Sequence, residues 1–308
     1  MGHYPISFRA MGSPCELQLY AATAGQAEVA AQRALADIEL LEARYSRYRN
    51  TSLLSHINRV AAQGGALDLD EETAALLDYA DTCYQRSDGL FDISSGLLRR
   101  AWNFAAARLP DPAEIHAILP RVGWDKLIWR RPRLEFPVPG MELDLGGLVK
   151  EYAADRAAGL LLAAGIEGGL VNLGGDIRVL GPHPDGRPWR IGIRHPRTAD
   201  AWLAEVQLHR GAIATSGDYQ RCLLIDGRRY GHLLDPRTGW PVAGLASVSL
   251  LAPSCLVAGS AASIALLKGA AGPAWLAELG LPHLWMGDDG TTGGDWPDQR
   301  AGSGQPTR

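Results

Sequence analysis

Cysteine is scarce in this chain, with four in 308 residues, at Cys15, Cys83, Cys222 and Cys255. They are widely separated, form no CxxC pair and have no histidine at ligand spacing. That excludes a zinc ribbon or a disulfide framework. Isolated cysteines in apolar stretches serve as small core residues, and a reducing, cytoplasmic setting suits them. An excess of one charge is also lacking: 30 Lys and Arg stand against 34 Asp and Glu, for a net charge of −4. No basic run interleaves with aromatics, so nucleic acid is not an expected partner. No apolar run reaches the length of a membrane span. The opening stretch MGHYPISFRAMGSPCELQLY has no basic segment followed by an apolar one, so neither a signal peptide nor a membrane partner is expected. The common phosphate and nucleophile signatures are missing too. There is no GxGxxG, no GxxxxGK[ST] and no GxSxG, which disfavours Rossmann, P-loop and α/β-hydrolase sites.

What is present is the composition of a folded chain, 46% hydrophobic and 21% charged. Cys15, Leu17 and Leu19 alternate with polar neighbours, the pattern of a half-buried strand. Residues 26–45 read as a helix with Val29, Leu35, Ile38, Leu41 and Tyr45 near one face. A loop with Ser46, Arg49, Asn50 and Ser52 follows. A second helix spans 70–86, with Asp70 as N-cap and Leu76, Tyr79, Ala80 and Cys83 as its stripe, and Ser87-Asp88-Gly89 ends it. A short helix is expected over 110–119, and a hairpin from 127–129 and 134–136. A third helix spans 148–164 and stops at Gly165. Strands are expected over 169–172, 177–180, 190–194, 204–209, 222–226 and 229–234, the last two joined by the hairpin signal Asp226-Gly227. A strand at 245–251, a helix at 254–268 capped by Ser254, and a strand at 281–286 complete the order. The fold class is α+β, mostly antiparallel sheets packed with helices. One domain is expected over 1–287, either undivided or as two subdomains sharing a cleft, with residues 288–308, rich in Gly, Asp, Thr and Pro, as a mobile tail.

Four segments join glycine to Asp, Ser or Thr: 87–92, 144–147, 172–176 and 214–219. Glycine admits close approach of the backbone to a ligand, and successive N–H groups can cradle phosphate oxygens. Asp144-Leu145-Gly146-Gly147 is the most informative. It reads as the end of a short apolar strand and the opening of the helix from Leu148, where first-turn N–H groups lack internal partners. That arrangement suits an anion, with Lys150 one turn in to add positive charge. The alternative is that Asp144 is only an N-cap and the glycines only a turn. In 231–239, His232 closes the hairpin and Asp235-Pro236 begins a turn. His232 is either a general base or a turn-stabilising residue.

In this order the segments resemble the FAD:protein FMN transferase (flavinyltransferase, ApbE-like) family. The matching residues are Met11-Gly12-Ser13, the loop Ser46 to Ser52 containing Tyr48, Gly89-Leu90-Phe91-Asp92, Asp144 to Gly147, Tyr152-Ala153-Ala154-Asp155-Arg156-Ala157, Asn172 to Asp176, Thr215 to Tyr219 and His232 to Gly239. The resemblance covers nearly the whole chain up to the last helix and implies an ApbE-like architecture. It also implies an activity: FAD is split, its FMN part is attached through a phosphoester to a Thr or Ser of an acceptor flavoprotein, and AMP is released, normally with Mg²⁺. By motif position Met11, Tyr48, Leu90, Phe91, Asp92, Asp144 and Lys150 would contact FAD, with Leu233 and Leu234 lining the pocket. His232 would take the proton of the acceptor hydroxyl.

The metal site departs from the family pattern. The family places an Asp and, four residues on, a Thr on the helix after an Ala-Pro-Ser segment, and adds a backbone oxygen at the position of Gly147. Here Gly259 replaces the Asp and Ser263 the Thr. Glu151, where glycine is common, is a second departure. Mg²⁺ prefers carboxylate oxygens, so loss of the Asp is expected to weaken it. Two readings follow. One is a working transferase with a rebuilt metal site that uses another acid such as Asp176, or the substrate phosphates. The other is a flavin-binding carrier, sensor or partner protein that has lost transfer.

Overall fold

The structure, a computed structural model, describes residues 1–104, 108–219 and 222–297. Its centre is an eight-stranded sheet whose spatial order follows chain order. The strands are β1 (Gly2–Ala10), β2 (Ser13–Ala21), β3 (Gly168–Leu173), β4 (Asp176–Gly181), β5 (Gly211–Gly217), β6 (Leu245–Ala252), β7 (His283–Gly287) and β8 (Thr292–Gly293). Each pairs antiparallel with the next. The helices, α1 (Ala24–Tyr45), α2 (Leu53–Gln63), α3 (Glu71–Arg86), α4 (Pro112–Ile118), α5 (Val149–Ala163), α6 (Cys255–Leu267) and α7 (Gly272–Leu279), are inserted between strands. The α+β class expected from the sequence is the class observed.

One sheet face carries α1, α5 and α6. The other is covered by the hairpin Trp189–Arg194 and Trp202–Leu208. There Trp189, Ile191, Ile193 and Val206 pack on Leu170, Val179, Ile213 and Leu251. β6 lies between these layers and is buried at every position, which explains its unbroken apolar and small-residue sequence. At the edge, β1 alternates half-buried Tyr4, Ile6 and Phe8 with exposed His3, Pro5, Ser7 and Arg9. Pro5 is tolerated because an edge strand needs no donor on its open side.

α1 buries Ala27, Ala30, Ala31, Ala34, Ile38, Leu41 and Tyr45. This small-residue stripe lets α5 approach with Ala153, Ala154, Ala157 and Ala158. Val29, expected on that face, is 51% exposed, because the alanines and not the larger residue define the contact. α6 begins at Ser254, whose side chain caps Val257 N. The Asp155 carboxylate on α5 accepts from Cys255 N and Leu256 N, both at 2.9 Å. An acid at a helix N-terminus is favoured by the dipole, and this one clamps α6 to α5.

Several expectations are revised. The segment before Asp144 is not a strand. Leu143 instead exchanges hydrogen bonds with the Asn58 side chain, donating at 2.8 Å and accepting at 2.9 Å. Asn58 thus supplies the partner a strand neighbour would have given. Residues 211–217, of which 214–217 read as part of a ligand loop, form the central strand β5. β1, α2 and α7 are additional elements. Of the expected tail, Thr292–Gly293 pairs with β7 and Trp296 joins the packing under the outer hairpin. Residues 298–308 lie outside the described residues.

Candidate active site

The turn at 144–147 opens α5, and Gly146 and Gly147 are exposed between buried Leu145 and Leu148. Asp144 is not the N-cap; Leu148 holds that position and offers no side-chain hydrogen bond. Asp144 accepts from Gly146 N at 2.9 Å and forms an ion pair with Arg47. The Arg47 guanidinium lies 4.9 Å from the Tyr48 ring centroid and donates to the Tyr48 hydroxyl at 2.7 Å. Tyr48 itself is 79% exposed. The turn, Arg47 and the open Tyr48 ring thus form one connected surface.

Leu90, Phe91 and Asp92 are all buried behind this turn. Phe91 sits against Gly147: a Cβ there would meet Phe91 Cζ at 3.5 Å. Asp92 accepts from Ser94 N at 2.7 Å and Trp124 N at 2.9 Å. Burial pushes its pKa up, opposed by these hydrogen bonds. Both carboxylate oxygens of Asp92 therefore hold the local backbone. Met11, at φ 51° in the β1–β2 turn, donates its N–H to Glu42 at 2.9 Å. Its neighbour Ser13 abuts Gly174, where an added Cβ would lie 2.8 Å from Ser13 Cβ.

Lys150 forms an ion pair with Asp176, and its ammonium lies 3.8 Å from Glu151 Oε1. Burial works against its charge, but Glu151 and Asp176 outweigh burial and hold its pKa above the ordinary lysine value. Asp176 is thereby engaged with Lys150. Glu151 is different. Its side chain is 9% exposed, and its Oε2 has no hydrogen-bond partner among the described residues. Burial drives its pKa above the carboxylate range despite the pull of Lys150.

Glu151 also meets Gly259. A Cβ built on Gly259 would lie 2.6 Å from Glu151 Cγ and 3.1 Å from both Cδ and Oε1. The two departures in the sequence are therefore one contact. Ser263, one turn beyond Gly259, is half-buried and shares a 2.9 Å hydrogen bond with Ser216 on β5. Among the described residues no three His, Cys, Asp or Glu side chains converge on a metal position.

His232 follows the hairpin Cys222–Ile225 and Arg228–Gly231 and is half-buried. Leu233 packs between the main core and the α6 cluster. Leu234 bridges Pro241 and packs with Leu97, Leu98 and Trp102 beneath the loop.

The family model described as the ApbE family matches residues 11–285. The chain belongs to the ApbE family. A FAD:protein FMN transferase of Rhodobacter capsulatus is 34% identical over 77% of this chain and 47% of its own length. The chain thus spans about half of that relative. One from Vibrio cholerae is 31% identical over 75% of this chain and 71% of its own. Among solved structures, the ApbE protein of Thermotoga maritima superposes with a TM-score of 0.85 at 29% identity, covering 95% of this chain and 97% of that one. The apo flavinyl transferase ApbE of Pseudomonas stutzeri gives 0.85 at 28%, covering 95% and 94%. The ApbE-like architecture expected from the motifs is therefore the one observed. Sequence reasoning noted Glu151 and Asp155 without assigning either a role at the site. It also left Arg47 unremarked. The charge of Arg47 beside an exposed aromatic was the available signal.

Proposed function

We propose that this chain is an FAD:protein FMN transferase that moves FMN from FAD to a Thr or Ser hydroxyl of an acceptor flavoprotein. The observation that carries this reading is the exposed Gly146-Gly147 turn at the start of α5, without a side-chain cap and flanked by Lys150 and Phe91, in an ApbE-family chain. The positive end of the α5 dipole at this open turn suits the pyrophosphate. Met11, Tyr48, Leu90, Phe91, Asp92, Asp144, Lys150, Leu233 and Leu234 form the proposed FAD-contacting set. Tyr48 offers an open ring for stacking, and Asp92 acts through the backbone it holds.

In the reaction the acceptor oxygen bonds to the FMN-side phosphorus, the bridging P–O bond breaks, and AMP leaves with that oxygen. His232 is the proposed acceptor of the hydroxyl proton. Positioning carries most of phosphoryl transfer. The Gly147 carbonyl and the Ser263 hydroxyl are hard oxygen donors and fit a small divalent cation. When bound, Mg²⁺ would offset pyrophosphate charge. The proposed setting is cytoplasmic, supported by the four free thiols. Among the described residues no helix is long and apolar enough to cross a membrane.

Incubation with FAD, Mg²⁺ and an acceptor flavoprotein domain should yield AMP and flavin fluorescence that stays with the denatured acceptor. If neither appears while a known transferase modifies the same acceptor, the reading is overturned.

A further inference from the structure

We propose that Glu151 supplies the carboxylate of the divalent-cation site, reaching from α5 into the space that a side chain at position 259 of α6 would fill. The assignment of that cation to pyrophosphate chemistry rests on the transferase reading; the ligand itself does not.

The register of the two helices carries the inference. Asp155 on α5 holds the backbone N–H groups of Cys255 and Leu256 at the start of α6. One turn back on α5 and one turn on along α6, Glu151 meets Gly259. The helices are therefore antiparallel at this contact. Gly147 lies in the turn just before α5, and Ser263 lies one turn further along α6. The Glu151 carboxylate thus lies on the α5–α6 seam, in the first turn of α5 and one turn of α6 before Ser263.

Charge and hydrogen bonding agree with this placement. Oε2 of Glu151 is buried and lacks a hydrogen-bond partner among the described residues. A buried carboxylate oxygen left without a partner is costly, and a cation satisfies it. Lys150 does not remove the need. It pairs with Asp176 and lies 3.8 Å from Glu151 Oε1, which leaves Glu151 Oε2 unsatisfied. Asp176 is less suited to the role because Lys150 occupies it. Gly259 is then the complement of Glu151: any Cβ at 259 would drive into the Glu151 side chain. Carboxylate and space have changed places across one helix interface.

The test is Mn²⁺ binding, read by electron paramagnetic resonance on the full chain, with and without FAD. Wild type should bind one Mn²⁺, and Glu151→Gln should weaken it by about 10- to 100-fold. The double swap Glu151→Gly with Gly259→Asp should recover affinity to within about threefold of wild type. Gly259→Asp alone should not tighten binding, because Glu151 fills its space. Unchanged Mn²⁺ affinity in Glu151→Gln, or no Mn²⁺ binding by wild type in either condition, overturns the proposal. If Glu151→Gln fails to fold, the double swap decides: recovery supports the proposal and loss of binding overturns it. Glu151-dependent Mn²⁺ binding without flavin transfer would leave the ligand standing and remove the transferase reading. Transfer with Mn²⁺ affinity indifferent to Glu151 would do the reverse.

Discussion

Asp70 accepts from Thr73 N at 3.2 Å and from the Thr73 hydroxyl at 2.9 Å while pairing with Arg44. Burial alone would raise its pKa, but the Thr73 hydrogen bonds and Arg44 outweigh burial and lower it from 3.8. The folded state therefore favours the carboxylate. Its contribution is complete above the ordinary value and is lost as pH falls through the depressed one. Asp70→Ala should cost about 1 kcal/mol, the worth of an N-cap, since the ion pair is partly exposed and screened. Urea unfolding should show that difference constant from neutral pH to mildly acid pH and shrinking below the ordinary pKa of 3.8. Asp70 is readable from sequence because its partner is three residues away. Glu151 is not: its neighbour Gly259 lies on a different helix, and nothing local links them.

At the scale of elements, the α5–α6 pair frames the proposed cation site. Asp155 is the fixed point, accepting two backbone N–H groups and lying 3.2 Å from Arg178. Asp155→Ala should destabilise the fold by about 2 kcal/mol, the range for hydrogen bonds to a charged group. Hydrogen exchange should show the loss first at residues 255–257. The helices themselves were legible. Helix 148–164 appears as Val149–Ala163 and helix 254–268 as Cys255–Leu267, each with its stop glycine. The false strand before Asp144 has a physical cause. Met141, Leu143 and Leu145 alternate and are buried like a strand, but an Asn58 side chain and the Ile93 carbonyl satisfy that backbone in place of a neighbouring strand. The Thr215-Ser216-Gly217 stretch misled in the opposite sense. Its hydroxyls bond to Ser249 and Ser263 across the sheet and helix, so polar residues sit in a central strand.

At the scale of the whole molecule, the sheet is covered on both faces, and β6 ties the layers together. Leu250 is fully buried within the α6 cluster. Leu250→Ala should cost about 3 kcal/mol, as a large-to-small change in a packed core. Chemical denaturation would report it as a lowered midpoint. Chain order in the sheet could not be read from strand patterns alone, because residues 24–163 intervene between β2 and β3. Adjacency there depends on pairing such as Glu16 with Asn172, far apart in the chain.

The sequence by itself determined the α+β class, most helix spans and caps, and the ordered motif set that marks an ApbE-family chain. These depend on periodicity, capping and turn chemistry, all local. Only the tertiary structure decided how the Gly- and Asp-rich turns are engaged: Asp92 and Asp176 in satisfied bonds, Asp144 with Arg47, and Glu151 with a buried, unpartnered oxygen beside Gly259. That distinction depends on burial and on which groups meet across elements. Two departures separated by more than a hundred positions became one complementary contact because antiparallel helices bring them to the same level.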